Sequence, residues 1–288
     1  YQRWITEHPQ DRQWQSHFTL NYPLRSLEKL PFFAPHFTDQ VLQYYADSDV
    51  IQNGQIVTSL NSGLQRLVER ISRRYLAQQK HYGVTNMAVL VVDNRTMQIK
   101  VLVGSGDYFN TQISGQINGT LAKRSYGSTL KPFIYGLAFD QGLAHPKTIL
   151  KDLPTNFADY QPENYEGNFL GPVTVTQALL QRRNIPAVEM AQQLKQPDLY
   201  DLLKLANISL PKNKQHYGLS LVLGGAELSM QQLAELYAAL VNQGQWQPLQ
   251  LLKNPVATQG ARLLSDESSY MVSDMLRQNI RPDIYNKS

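Results

Sequence analysis

The 288-residue chain contains no cysteine, which excludes a disulfide framework and thiolate metal sites and is compatible with either an oxidising or a reducing compartment. It has no apolar run near the ~18 to 20 residues that span a bilayer, and its start, Tyr1-Gln2-Arg3-Trp4, lacks the basic, apolar, small-residue order of a signal peptide. Charge of one sign is not concentrated anywhere. The formal +4 comes from 27 basic against 23 acidic residues spread along the chain, without the dense Lys/Arg block that a nucleic-acid partner would require. Several reactive signatures are missing as well. There is no Gly-x-Ser-x-Gly elbow, no His-Glu-x-x-His and no phosphate-binding Gly-x-x-x-x-Gly-Lys. No metal, nucleotide or other cofactor is expected. With 42% hydrophobic residues the chain can bury a sizeable core.

Residues 1–55 are rich in Gln, aromatics and prolines without sustained periodicity, and read as an irregular arm or linker. Order sharpens from Ile56. Leu64, Leu67, Val68 and Ile71 stand at helical spacing, predicting a helix over 61–79. The runs 87–92 and 98–103 flank Asp93-Asn94-Arg95-Thr96 and predict a β-hairpin. An apolar helix is expected from Gly127-Ser128 to about Leu143, followed by helices over 174–194, 198–206, 229–243 and 265–279, with Gly244 as a C-cap. Leu233, Leu236, Tyr237 and Leu240 are expected in the core. The class is mixed α/β with helices dominating.

A serine and a lysine three residues apart on a helix share one face, so a neutral amine can take the hydroxyl proton. Three segments have this spacing: Ser26-Leu27-Glu28-Lys29, Ser128-Thr129-Leu130-Lys131 and Ser209-Leu210-Pro211-Lys212. Only Ser128 follows a glycine, opens a long apolar helix and keeps a proline, Pro132, in the first turn, where a missing N–H is harmless. A helix start would also favour a developing oxyanion and help lower the lysine pKa.

The segment Lys123-Arg124-Ser125-Tyr126-Gly127-Ser128-Thr129-Leu130-Lys131-Pro132-Phe133-Ile134-Tyr135 resembles the active-site segment of class A penicillin-binding proteins. The resemblance continues through Asp152-Leu153-Pro154, Tyr160-Gln161-Pro162-Glu163-Asn164-Tyr165, Asn184-Ile185-Pro186-Ala187-Val188 and 217–225, covers about residue 32 to the end, and is closest to the bifunctional 1C type. It implies an α+β serine acyl-transferase fold, an antiparallel sheet beside an all-helical lobe. It also implies peptidoglycan D,D-transpeptidase activity on stem peptides, with trapping by β-lactams. Carried onto this chain, Ser128 would be the nucleophile and Lys131 the base. Asn184 would bind donor peptide and lysine, and the Ser128 N–H would form half of an oxyanion hole. Gly127, Arg182 and Tyr165 are further candidates for substrate binding. Lys123-Arg124 and Arg182-Arg183 stand as groove-lining or solvated cations, and Tyr160, Tyr165 and Phe169 as cleft walls.

Three departures from the family pattern stand out. Arg182 occupies the position of the serine in the second motif, Ser-x-Asn, and a guanidinium cannot shuttle a proton at neutral pH. The literal Ser59-Leu60-Asn61 precedes a helix and reads as a cap. Tyr126 replaces a common proline, and no Lys-Thr-Gly or Lys-Ser-Gly third motif occurs. The family places that motif just beyond Arg281-Pro282, so the expected organisation is an arm over 1–55 and a C-terminally incomplete transpeptidase domain over 56–288. A parent protein would carry its membrane anchor upstream and work on the periplasmic face of the inner membrane. The competing expectation is a catalytically impaired homologue that binds peptidoglycan or a partner protein.

Overall fold

A computed structural model describes residues 33–46, 48, 55–157, 162–164, 167–254 and 258–279. The chain divides into two units at Pro35/His36, and the elements that carry the site belong to the second. Among the described residues no helix is long and apolar enough to cross a membrane.

The chain enters through helix α1 (Pro35–Tyr45), where an irregular arm was expected. The pattern was hidden because the buried face alternates polar with apolar residues: His36, Phe37, Gln40 and Val41. The two polar ones are matched inside, His36 Nε2 lying 2.7 Å from Gly115 O and Gln40 pairing with Gln231. Helix α2 (Ser62–Gln79) starts where predicted, with Asn61 accepting from Leu64 N as its N-cap. Ser59 is buried and donates to Ile99 O, so the literal Ser-x-Asn segment is structural. The periodicity of α2 did not identify a core face, however, since Leu67 and Ile71 are exposed while Gln65 and Ser72 are buried. Gln65 instead donates to Leu102 O and accepts from Leu102 N, tying α2 to the sheet.

Strands β1 (Val89–Asp93) and β2 (Gln98–Val103) form the predicted antiparallel hairpin, with a register irregularity between Val91 and Val92. Asp93 Oδ1 accepts from the N–H groups of Arg95 and Thr96, which shapes the turn and lowers the Asp93 pKa. Three further antiparallel pairs follow: β3 (Arg124–Ser125) with β6 (Glu227–Leu228), β4 (Ile149–Asp152) with β5 (Gly171–Thr174), and β7 (Gln245–Trp246) with β8 (Ala261–Arg262).

The helical lobe is built around α3 (Lys131–Asp140), which is buried on every side from Lys131 to Phe139. Packed around it are α4 (Val175–Leu180), α5 (Ile185–Gln193), α6 (Leu199–Leu205), the 3-10 segment Gly218–Leu223 and α9 (Asp266–Arg277). The remaining described α-helices are α7 (Lys214–Tyr217) and α8 (Met230–Val241). Capping boxes set the starts of α4, α6 and α8, and Ser265 caps α9. Of the four residues of α8 assigned to the core, Leu236 and Leu240 are fully enclosed, and Leu233 and Tyr237 pack against the core while partly exposed. Gln243 and Gly244 both take left-handed backbones beyond the end of α8, so the helix stop takes two residues rather than Gly244 alone. The helices and small antiparallel pairs make an α+β fold.

The single helix expected over 174–194 is two. Arg182 adopts φ 57, the left-handed region, and breaks the run between α4 and α5. Arginine is a good helix former, so nothing in its propensity signals the break. The break positions the site.

Candidate active site

The turn before α3 presents Ser128. Ser125 Oγ donates to Gly224 O, Thr129 Oγ1 donates to Tyr126 O, and the N–H groups of Thr129, Lys131 and Phe133 each bond three residues back, tightening the entry into the helix. Gly127, at φ 54, makes the turn. Gly224, at φ +91, lies directly beneath it: a Cβ there would fall 2.5 Å from Gly127 N and 2.7 Å from Gly127 Cα. Two side chains brace this loop. The Tyr126 hydroxyl donates to Leu221 O at 2.5 Å, and Tyr237 donates to Thr129 O at 2.8 Å while its ring meets Phe133 edge-on. Burial raises both phenolic pKa values, that of Tyr237 to about 12, so both remain donors at neutral pH. Tyr126 thus anchors the loop to the segment Gly218–Leu223 at the position where proline is common.

Lys131, at N1 of α3, is 1% exposed. Its Nζ donates to Arg182 O and Arg183 O, each at 3.0 Å, and to Asn184 Oδ1 at 2.5 Å. The α4–α5 break therefore turns two main-chain carbonyls and the Asn184 amide toward one ammonium. Burial, and secondarily the Arg183 charge, lower the Lys131 pKa to about 8. Asn184 is fixed from both ends, its Nδ2 donating to Glu163 O at 2.6 Å and its N–H to Asn164 Oδ1 at 2.8 Å.

Behind this layer lies a network that the sequence had not identified. Arg183 Nε contacts Asp152 Oδ2 at 2.7 Å with both groups out of solvent, and Arg183 also donates to the side chain and carbonyl of Asn168. Asp152 accepts in addition from Asn164 Nδ2 and Leu170 N. A charged pair buried this completely holds only with its remaining valences filled, as they are here. Arg183 is thus not a solvated cation: although the residue contributes to the cleft lining, its guanidinium is buried on Asp152 and holds the 182–184 corner against β4. The signal was present in the Asp152-Leu153-Pro154 segment, but its spatial partner was thirty-one residues away.

Ser128, Glu163, Asn164, Gln181, Arg182, Arg183 and Asn184 line one cleft of about 640 Å³. Ser128 is exposed at its lip, and its Oγ makes no hydrogen bond to Lys131 Nζ. Such bonds are commonly long before a substrate is bound. The Ser128 N–H likewise has no acceptor among the described residues, leaving it available to a bound oxygen. The cleft therefore assembles a solvent-facing hydroxyl, a desolvated amine one helical turn away, an amide that orients the amine and an unused N–H donor. These are the components of acyl transfer to serine.

Of the predicted site residues, Ser128, Lys131, Asn184 and Arg182 meet here. Gly127 shapes the turn and is not part of the cleft lining. Tyr165 and Tyr160 lie outside the described residues, and Phe169 is 37% exposed and away from the lining. Lys123 and Arg124 are exposed and do not line the cleft. The other Ser-x-x-Lys spacings carry no site: Ser209 to Lys212 is outside any helix, and Ser26 to Lys29 lies outside the described residues. Among the described residues no cluster of His, Asp or Glu could hold a metal ion.

Residues 87–283 match a family model described as the penicillin binding protein transpeptidase domain. Among similar proteins, penicillin-binding protein 1C of Escherichia coli (strain K12) is 33% identical over 254 residues, covering 83% of this chain and 32% of that protein. Penicillin-binding protein 1F of Bacillus subtilis (strain 168) is 24% identical over 283 residues, 91% of this chain and 38% of that protein. Penicillin-binding protein 1A of Rickettsia bellii (strain RML369-C) is 29% identical over 191 residues, 64% of this chain and 23% of that protein. The chain spans between about a quarter and two fifths of the length of these curated relatives.

Proposed function

Because the chain belongs to the penicillin-binding protein transpeptidase family, we propose that it acts as a peptidoglycan D,D-transpeptidase with Ser128 as the acylated nucleophile. The observation that carries this reading is the convergence of buried Lys131 on Asn184 Oδ1 in the cleft where Ser128 faces solvent. In the first half-reaction neutral Lys131 takes the Ser128 proton as Oγ bonds to the penultimate D-alanine carbonyl of a stem peptide. The carbonyl oxygen becomes an oxyanion facing the Ser128 N–H. The carbon–nitrogen bond then breaks, and the proton returns from Lys131 to the departing D-alanine. With an arginine in place of the second motif's serine, Lys131 itself makes this delivery. In the second half-reaction an amine of a neighbouring strand attacks the ester and gives its proton to Lys131, which restores Ser128. A β-lactam would stop at the ester.

In this reading the acyl-transferase unit runs over 56–288 and residues 1–55 lead into it. The parent protein would be anchored in the inner membrane and would work on its periplasmic face. The test is release of D-alanine from an acyl-D-alanyl-D-alanine peptide in the presence of an acceptor amine, with Ser128→Ala and Lys131→Ala as controls. Release and amide formation that vanish in both variants are expected.

A second reading, a penicillin-binding homologue that binds peptidoglycan or a partner protein without turnover, is favoured by one observation: Arg182 stands where a proton-relaying serine would be. It predicts peptide binding in wild type and Ser128→Ala alike, with no D-alanine released by either.

A further inference from the structure

The 3-10 segment Gly218–Leu223 braces the catalytic loop and also borders a second cleft. Toward the loop, Leu221 O accepts from the Tyr126 hydroxyl, and Gly224 O, at the end of the segment, accepts from Ser125 Oγ. Leu219, Leu221 and Val222 also line a cleft of about 330 Å³, together with Ala191 of α5 and Leu199 of α6. Leu221 therefore serves both features, its carbonyl holding Tyr126 while the residue forms part of the cleft wall. No residue that lines this cleft lines the one that holds Ser128. The segment itself is weakly self-supporting. A 3-10 run of six residues exceeds the three or four at which such runs usually stop, and positive-φ glycines, Gly218 and Gly224, stand at its two ends. Its position is set by what it touches.

The second cleft has an apolar wall and a charged edge. Lys214 Nζ lies 2.6 Å from Asp198 Oδ2 and 3.4 Å from Asp201 Oδ2, so one ammonium serves two carboxylates and one negative charge is left over. Asp198 and Lys214 both belong to the lining. A ligand ammonium complements this group, whereas a ligand carboxylate would meet the repulsion of two acids. The volume holds a body of about ten to twelve non-hydrogen atoms. We propose that this cleft binds a small amphiphile with an apolar body and an ammonium head, and that its occupancy promotes acylation of Ser128. The body packs on Leu221 and Val222 and the head meets Asp198. Such a ligand binds the molecules in which the segment is seated, and so raises the fraction in which Tyr126 and Gly224 hold the Ser128 loop in place. The proposal rests on the acyl-transfer reading and gives that reaction a control point outside the Ser128 cleft.

The test titrates the full chain, labelled with nitrogen-15, with 4-phenylbutylamine, 4-phenylbutan-1-ol and 4-phenylbutanoate at pH 7 and low salt, following the backbone amides by NMR. The amine should bind with a Kd of about 1 mM. It should bind about three- to fivefold more tightly than the alcohol, with the carboxylate weakest. Shifts should centre on Leu219 and Val222 and extend to Tyr126 and Ser128. Asp198→Asn, which keeps a capping side chain at the start of α6, should remove the advantage of the amine, and Ala191→Leu should block all three probes. With the amine near saturation, acylation by benzylpenicillin should run about two- to fourfold faster. Ala191→Leu should lose that acceleration together with binding. Tyr126→Phe should lose the acceleration while still binding the amine. Four results would overturn the proposal: no binding, an alcohol or carboxylate that binds as tightly as the amine, bound amine without acceleration, or acceleration that survives Tyr126→Phe. A benzylpenicillin ester that forms at one rate with or without bound amine sinks the coupling alone, whereas no ester under either condition sinks the acyl-transfer reading and this proposal with it.

Discussion

Asn184→Asp places a carboxylate where an amide oxygen now lies 2.5 Å from Lys131 Nζ. In the wild type, burial holds the Lys131 pKa down to about 8, so about one tenth of molecules carry the neutral amine at pH 7 and about nine tenths at pH 9. The acylation rate should therefore climb roughly tenfold over that interval and flatten above it. An adjacent carboxylate favours the ammonium and raises a lysine pKa by about 1 to 3 units. The rise of the variant should move to higher pH by that amount, and its rate at pH 7 should fall about 10- to 1000-fold. The substitution also sets a carboxylate oxygen against Glu163 O, which now accepts from Asn184 Nδ2, so some loss of stability will accompany it. Stability loss alone lowers the amplitude without moving the midpoint. The assay is stopped-flow acylation by benzylpenicillin from pH 6 to pH 10, with thermal unfolding measured on the same samples. A wild-type profile flat between pH 7 and pH 9, or a variant midpoint unmoved, would refute the assignment of Lys131 as base.

Further outcomes follow from other contacts. Arg183→Ala leaves Asp152 charged and buried without its counter-ion, and should destabilise the fold by about 3 to 5 kcal/mol, read as a lower urea midpoint. Gly224→Ala drives a methyl against Gly127 at a positive φ; it should cost about 1 to 3 kcal/mol and, by moving Ser128, slow acylation about a hundredfold for each ångström of displacement. The same linkage predicts that wild-type stability rises between pH 8 and pH 10.5. In that window the unfolded chain holds the Lys131 proton that the folded chain has released, so the folded state gains as pH increases, a trend visible as a rising unfolding midpoint provided other groups are accounted for with Lys131→Met.

What the sequence made legible was local. Gly127 before Ser128 and Pro132 at N2 marked one helix start, whereas the start of α5 at Ile185 fell inside a run read as a single helix. Lys131 was singled out by its spacing from Ser128 and Asn184 by the resemblance of Asn184-Ile185-Pro186-Ala187-Val188 to the family motif, and the fold brings the two side chains together. What it concealed depended on distant partners. Arg183 differs from Arg182 only in what surrounds it, and only the fold shows that Asp152 and Asn168 enclose one and water the other. Helix α1 escaped detection because His36 and Gln40 fill core positions with their polar atoms satisfied from Gly115 and Gln231. The break at Arg182 is imposed by three acceptors that must face one lysine, a tertiary demand that overrides the residue's helix propensity. In α2 the periodicity was real, but Leu67 and Ile71 lie on the exposed side while Gln65 makes the contact with β2.

The most direct measurement is intact-mass spectrometry of the chain after incubation with benzylpenicillin, followed by peptide mapping, on wild type and Ser128→Ala. A single adduct of the mass of the opened penicillin, located on Ser128 and missing from the variant, is the predicted result. No adduct on a protein shown to be folded by circular dichroism, or an adduct that persists in Ser128→Ala, would contradict the account.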